Sequence, residues 1–228
     1  MNIPKYLPYK VKSWVRKQPL LINTVNTLDG ILHHRELSMY TDIVTMISTT
    51  EREYLYKLAK DTQGIILCIG TYAGGSTYFL GKGAEKSGAH IYSIDPFHLD
   101  IERQIREDDG MNYWKRKEPK PPKKEVEETF KKHGLEDKVT LIEGFSTEIA
   151  EKWNYGKISI LFIDGNHKQV FQDFYAWKKH LAPDAIVAFH DSNDPEFPDV
   201  KKAVEDIINR EKVKIIGKVD SITAIKLS

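Results

Sequence analysis

The sequence predicts a doubly wound α/β fold: a seven-stranded, mostly parallel sheet that ends in an antiparallel C-terminal hairpin. Three observations predict it. Residues 65–76 (Ile-Ile-Leu-Cys-Ile-Gly-Thr-Tyr-Ala-Gly-Gly-Ser) pass from a short apolar strand through a glycine-rich turn into a helix start, as a first strand of an open parallel sheet does. Short apolar runs then alternate with helical segments, which calls for parallel strands covered on both faces. The last two apolar runs are separated only by residues 217–221, too few for a crossover, so they pair antiparallel at a sheet edge.

Taken in order, residues 1–47 form an N-terminal extension without a clean period, broken by Pro4, Pro8 and Pro19. A lid, a packing segment or an oligomer contact are its expected uses. The main domain then covers 48–228. Thr50 and Glu53 fit a capping box opening a helix that Gly64 closes. A strand follows at 65–69, a helix from Ser76 to about Lys86, and a second strand at 90–94 that ends in Asp95-Pro96. Residues 99–122 read as a charged insert, finishing in basic residues and three prolines; connections of that length inside a compact unit are usually functional or disordered. Beyond it come a helix at about 123–133, strands at 139–142 and 158–163, and a helix at about 170–180. A strand at 185–189, a helix at about 200–210 and the closing pair at 213–216 and 222–226 complete the chain.

Composition narrows the function classes. The 228 residues are 40% hydrophobic and 29% charged with a net charge of +1, which gives no case for a nucleic-acid partner. The single cysteine, Cys68, sits inside an apolar strand, so an intrachain disulfide scaffold is excluded and a reducing, cytoplasmic setting is expected. No apolar run reaches the roughly 18 residues that a transmembrane segment needs.

Chemistry should collect where the strands end, because ligands of open α/β sheets bind outside the C-terminal ends of the strands. The first strand delivers Gly70, Thr71, Tyr72, Gly74 and Ser76, and the second delivers Asp95. The third delivers Gly144, Phe145 and Ser146, the fourth Asp164 and His167, the fifth His190 and Asp191. Asp95 follows the glycine turn's neighbouring strand, where a carboxylate matches the two hydroxyls of a ribose. Asp164 and Asp191 end adjacent strands and, with His190, suit a hard divalent cation; the plainer use of each acid is to cap a helix. His167 and His190 are the strand-end groups able to exchange protons near neutrality, and either could instead satisfy a neighbouring carboxylate.

Four segments carry a resemblance: Ile-Gly-Thr-Tyr-Ala-Gly-Gly-Ser-Thr at 69–77, Ile-Asp-Pro at 94–96, Phe-Ile-Asp-Gly-Asn-His at 162–167 and Phe-His-Asp at 189–191. In this order and spacing the chain resembles the Rossmann-like class I S-adenosylmethionine-dependent methyltransferases over residues 50–226. More narrowly it is similar to the macrocin-type sugar O-methyltransferase and cephalosporin-hydroxylase-like group. The resemblance implies that Gly70, Thr71, Tyr72, Gly74 and Ser76 wrap the methionine part of S-adenosyl-L-methionine, with Asp164 beside it. It implies that Asp95 holds the ribose and that Gly144, Phe145 and Ser146 flank the adenine. It further implies Mg²⁺ or another divalent cation on Asp164, His190 and Asp191, orienting an acceptor hydroxyl and lowering its pKa.

Three positions depart from the pattern. Cys68 stands where many relatives have a glutamate, Asn166 where an aspartate is common, and His190 where a third acid is common. An amide cannot take a proton, so His167 or His190 is expected as the base. The expected reaction is direct displacement of methyl from the sulfonium onto a hydroxyl of a small-molecule or glycan acceptor, a sugar first. A catechol-type methyltransferase and a non-catalytic nucleotide-binding module are the alternatives. A nicotinamide enzyme would need the Gly-x-Gly-x-x-Gly spacing that this turn lacks.

Overall fold

The computed structural model describes residues 43–111 and 120–227. Most of the N-terminal extension, and residues 112–119 of the charged insert with the first part of its basic run, lie outside the described residues. Along the chain run α1 (Thr49–Lys60), β1 (Ile65–Ile69), α2 (Gly75–Ser87), β2 (His90–Asp95), α3 (Ile101–Arg106) and α4 (Lys123–Lys132). They are followed by β3 (Val139–Glu143), α5 (Ser146–Lys152), β4 (Ile158–Ile163), α6 (Val170–Lys178) and β5 (Leu181–Phe189). The chain closes with α7 (Pro198–Arg210), β6 (Val213–Val219) and β7 (Ile222–Leu227). The seven strands form one sheet in the order β3-β2-β1-β4-β5-β7-β6. Pairings from β3 to β5 are parallel, and β7 pairs antiparallel with both β5 and β6. This is the expected fold, hairpin included.

Strand alternation builds two cores. In β1, Ile66 and Cys68 face one side of the sheet with Leu55 of α1, Phe79 of α2 and Phe130 of α4. Leu67 and Ile69 face the other, with Ala150 of α5, Trp177 of α6 and Val204 of α7. Each large side chain removed from water in this way contributes roughly 1.5–3 kcal/mol, so the central strands are the most firmly held part of the molecule.

Register carries that rigidity to the strand ends. Ile94, Ile69, Ile163 and Phe189 pair side by side across β2, β1, β4 and β5. The next residues continue the ladder, with Gly70 N–H on Ile94 O at 2.9 Å, Asp164 N–H on Ile69 O at 2.9 Å and His190 N–H on Ile163 O at 3.0 Å. Asp95, Gly70, Asp164 and His190 therefore stand in one row.

Three expectations are corrected. The capping box belongs to Ser48 and Glu51: Ser48 Oγ accepts Glu51 N–H at 3.2 Å and Glu51 Oε2 accepts Ser48 N–H at 2.7 Å. Glu53 instead pairs with Lys57 at 2.7 Å one turn on. The helix starts earlier because Ser48 and Glu51 bury together, whereas Glu53 remains on the outer side. The fifth strand begins at Leu181, ahead of a register shift that accommodates Pro183 and a left-handed Asp184 (φ 61°). Two short helices, α3 and α5, were not anticipated, since six or seven residues give too little periodicity.

Gly70 adopts φ +91°, and a Cβ there would overlap the Asp164 carbonyl. Gly70→Ala should therefore destabilise the protein by more than about 2 kcal/mol, read as a lowered midpoint in urea denaturation.

Candidate active site

The row of strand ends opens into a cavity of about 330 Å³. Gly70, Thr71, Tyr72 and Ser76 line one side, Gly144, Phe145 and Ser146 a second, and Asp164, His167, His190 and Asp191 a third. Gly74 is not on this wall: it caps α2 with φ +93°, and its Cβ position faces Phe130. Residues 43–47 of the extension are described, and Thr45 and Met46 among them line the cavity.

Asp95 organises the glycine turn. Its Oδ2 accepts the N–H groups of Thr71 and Tyr72 at 3.0 and 2.9 Å. Its Oδ1 accepts Phe97 N–H at 2.6 Å and meets Lys120 Nζ at 2.5 Å. Two donors on each oxygen use the roughly four acceptor sites that a carboxylate offers. The carboxylate expected to take a ribose diol is thus already satisfied, and Lys120, from the end of the insert, is the one movable donor of the four. Cys68 lies behind this turn. Its thiol is fully buried and pushed up to about 12 by burial, so it fills space and is not a nucleophile.

On the next strand ends, acid and imidazole groups gather. Asp164 Oδ2 accepts Ser76 Oγ–H at 3.0 Å, while Asp164 Oδ1 lies 2.9 Å from His190 Nδ1. Asp191 Oδ2 lies 3.0 Å from the same Nδ1 and 3.1 Å from His167 Nε2. Asp191 is held in the left-handed region at φ 55°, a conformation costly for a non-glycine residue and frequent at functional sites. Burial alone would lower the His190 pKa, but Asp164 and Asp191 outweigh it and raise it well above its ordinary value. Burial likewise opposes a charged His167, yet Asp109 and Asp191 raise it to about 9.

Asp109 and Glu51 complete the group, and neither stood out in the sequence. Asp109 comes from the insert: its Oδ2 accepts His167 N–H at 2.9 Å and sits 2.7 Å from His167 Nδ1. Its neighbours fasten the segment to the loop after β4, with Asn166 Nδ2 donating to Glu107 O at 2.8 Å and Lys168 Nζ to Asp108 O at 2.9 Å. On the opposite side Arg103 stacks 3.6 Å over the Phe145 ring and bonds Glu148 at 2.6 Å. Segment 101–109 thereby bridges the cavity. The only signal for Asp109 was the density of acids in a long connection. Asn166 serves as a tether between the loop after β4 and the insert.

Carboxylates outnumber imidazoles four to two in this group (Glu51, Asp109, Asp164, Asp191 against His167, His190). Among the described residues, Asp164, His190 and Asp191 offer ligand atoms within 4.8 Å of one another. The His190 contacts lie off the hydrogen-bond axes, so neither of its ring nitrogens has a hydrogen-bond partner among the described residues. Spacings of 2.9 and 3.0 Å match the edge between neighbouring ligands of an octahedral ion bound at about 2.1 Å. The donor set fits a divalent cation.

An α/β sheet with this strand order, a glycine turn at β1 and acids ending β2, β4 and β5 places the cavity where open α/β sheets bind their ligands. The family described as "methyltransferase domain" matches residues 67–192, more than half of the chain. The chain belongs to that family, and its enzyme class is S-adenosylmethionine-dependent methyltransferase. Solved structures agree in fold. The O-methyltransferase from Bacillus cereus in complex with SAH matches at 18% identity over 96% of this chain and 97% of its own, with a TM-score of 0.60. The O-methyltransferase NovP matches at 14% identity over 81% and 82%, with a TM-score of 0.66. TomG from Streptomyces achromogenes, an O-methyltransferase involved in tomaymycin synthesis and solved with SAM, matches at 16% over 92% and 99%, with a TM-score of 0.61. Among the described residues no helix is long and apolar enough to cross a membrane.

Asp173 of α6 lies near Ser146, and its Oδ1 has no hydrogen-bond partner among the described residues. Burial raises its pKa from 3.8 to about 7, against a smaller lowering by Ser146. Between those values the folded protein holds more protons than the unfolded chain, so this group's contribution to stability falls as pH rises. Asp173→Asn removes that slope. Its stability relative to the parent should increase steadily from pH 4 to pH 7, read by denaturant melts of both proteins.

Proposed function

We propose that this methyltransferase moves the methyl group of S-adenosylmethionine onto a hydroxyl oxygen of a sugar or glycan, with a divalent cation held by Asp164, His190 and Asp191. The observation that carries this reading is the acid–imidazole–acid group, which ends β4 and β5 in the same cavity as the glycine turn. Bound in the cavity, the cofactor supplies an electrophilic methyl carbon, whose bond to sulfur breaks as the bond to the acceptor oxygen forms. A divalent cation on the three ligands would lower the pKa of the acceptor hydroxyl. With an imidazole among them, Mn²⁺, Co²⁺ or Zn²⁺ suits the set at least as well as Mg²⁺.

The chain's own residues do the rest. Gly70, Thr71, Tyr72 and Ser76 cradle the methionine end, and Gly144, Phe145 and Ser146 flank the adenine. Asp95 takes a ribose hydroxyl once Lys120 withdraws from Oδ1. His167 faces a carboxylate at each ring nitrogen, so it orients Asp191 and does not take a proton at neutral pH. Proton acceptance falls to the Asp164–His190–Asp191 group. Amide and acid side chains on the wall, Gln104, Asn166 and Gln169 with Glu107 and Glu196, suit an acceptor with several hydroxyls, which is what favours a sugar. Segment 101–109 holds that wall in place and excludes water.

Labelled cofactor offered with glycans, nucleotide sugars and catechols should mark a sugar hydroxyl. Exhaustive chelation should abolish transfer, and Mn²⁺ or Mg²⁺ should restore it. Asp191→Asn should cut turnover by about 100-fold or more while S-adenosylhomocysteine still binds. Label entering catechols alone would assign the other acceptor class, and activity unchanged by chelation would remove the cation from the mechanism. Lys120→Met should free one acceptor site on Asp95 and tighten S-adenosylhomocysteine binding by about threefold to tenfold, measured by calorimetry. Weaker binding would mean that Lys120 itself touches the cofactor.

A further inference from the structure

Glu51 is the most completely buried acid near the site, with no exposed surface. It lies on α1, away from all the strand ends that supply the remaining polar groups. Its Oε1 accepts both the N–H and the Oγ–H of Ser221, at 2.8 and 2.6 Å, and its Oε2 accepts Ser48 N–H. That same Oε2 faces His190 Nε2 at 3.7 Å. On the opposite edge of the ring, Nδ1 faces Asp164 and Asp191. His190 is thus placed with a carboxylate at one nitrogen and the two cation-binding acids at the other.

From this juxtaposition we infer that Glu51 is a positioning residue for the divalent cation. Its negative charge, 3.7 Å from Nε2 and beyond hydrogen-bond length, favours the His190 tautomer with its proton on Nε2, which leaves the Nδ1 lone pair directed at the space shared with Asp164 and Asp191. The inference rests on the cation reading of the same three ligands. A neutral imidazole binds a cation through only one nitrogen, and the group at the other nitrogen decides which. Without a carboxylate behind it, the ring has nothing to prefer this tautomer, and burial leaves no water to substitute. Asp164 and Asp191 are both acceptors, so by themselves they would draw the proton to Nδ1 and block the site. Glu51 offsets that pull from the far side. Its position is in turn fixed by Ser48 and Ser221, which leave it little freedom to swing away.

Mn²⁺ alone is the probe, titrated against the full chain and followed by the loss of the free-ion electron paramagnetic resonance signal. Glu51→Gln should weaken Mn²⁺ binding by about 10- to 100-fold, with S-adenosylhomocysteine binding retained. Glu51→Asp, which keeps the charge but draws it back, should fall between Glu51→Gln and the parent, and it carries the test if Glu51→Gln does not fold. Ser221→Ala removes the Oγ–H hydrogen bond to Glu51, keeps the one from the Ser221 backbone N–H, and takes away none of the Glu51 charge. It should lower thermal stability with Mn²⁺ affinity within a few-fold of the parent. Equal Mn²⁺ affinity in the parent and the Glu51 variants would overturn the role, as would a loss in Ser221→Ala as large as in Glu51→Gln. A parent that binds no Mn²⁺ overturns the cation reading itself, and is told apart because the defect is then present without any substitution.

Discussion

The contact of the Gly70 backbone with the carbonyl of Asp164 sets the dimensions of the site. β1 and β4 are where the strand order turns from one direction to the other, so the connections leaving them run to opposite faces and a crevice opens between. Only a glycine lets the two backbones close to hydrogen-bonding distance there. That closeness brings Ser76 onto Asp164, and it puts the glycine turn and the acid group on opposite walls of a single cavity. A wider separation would divide the glycine turn from the acid group.

Parts of this arrangement were legible in the residues and parts were not. Strands and most helices are written in alternating or amphipathic apolar patterns, and parallel register then delivers the strand-end residues to one row. The tethers were illegible for a definite reason: Asp109 and Lys120 reach the site from a long connection whose residues obey no period, so nothing local indicates which of many charges turns inward. Glu51 was obscured differently. Two overlapping Ser/Thr-x-x-Glu patterns, Ser48 with Glu51 and Thr50 with Glu53, both fit a helix start, and only burial against the final hairpin distinguishes them. Asp95 was recognised by position but not by occupancy, because backbone donors leave no mark in a sequence.

Charge accounts for the rest of the design. Four carboxylates in a partly buried crevice repel one another strongly at low effective dielectric. The protein answers with His167, held charged by Asp109 and Asp191, and with a lysine on Asp95. It also keeps Asp173 from adding to the load, since burial favours its neutral form. What remains is an excess of negative potential, suited to a cationic sulfonium and a metal ion.

The bond between Glu51 and Ser221 spans 170 positions. Closing so long a loop is entropically expensive and comes late in folding, after local helices and neighbouring strands have formed. The parallel strands and the glycine turn can therefore assemble while Glu51 still lacks the Ser221 bonds that hold it. The last hairpin then closes over Glu51, so the complete burial of this acid marks a finished fold.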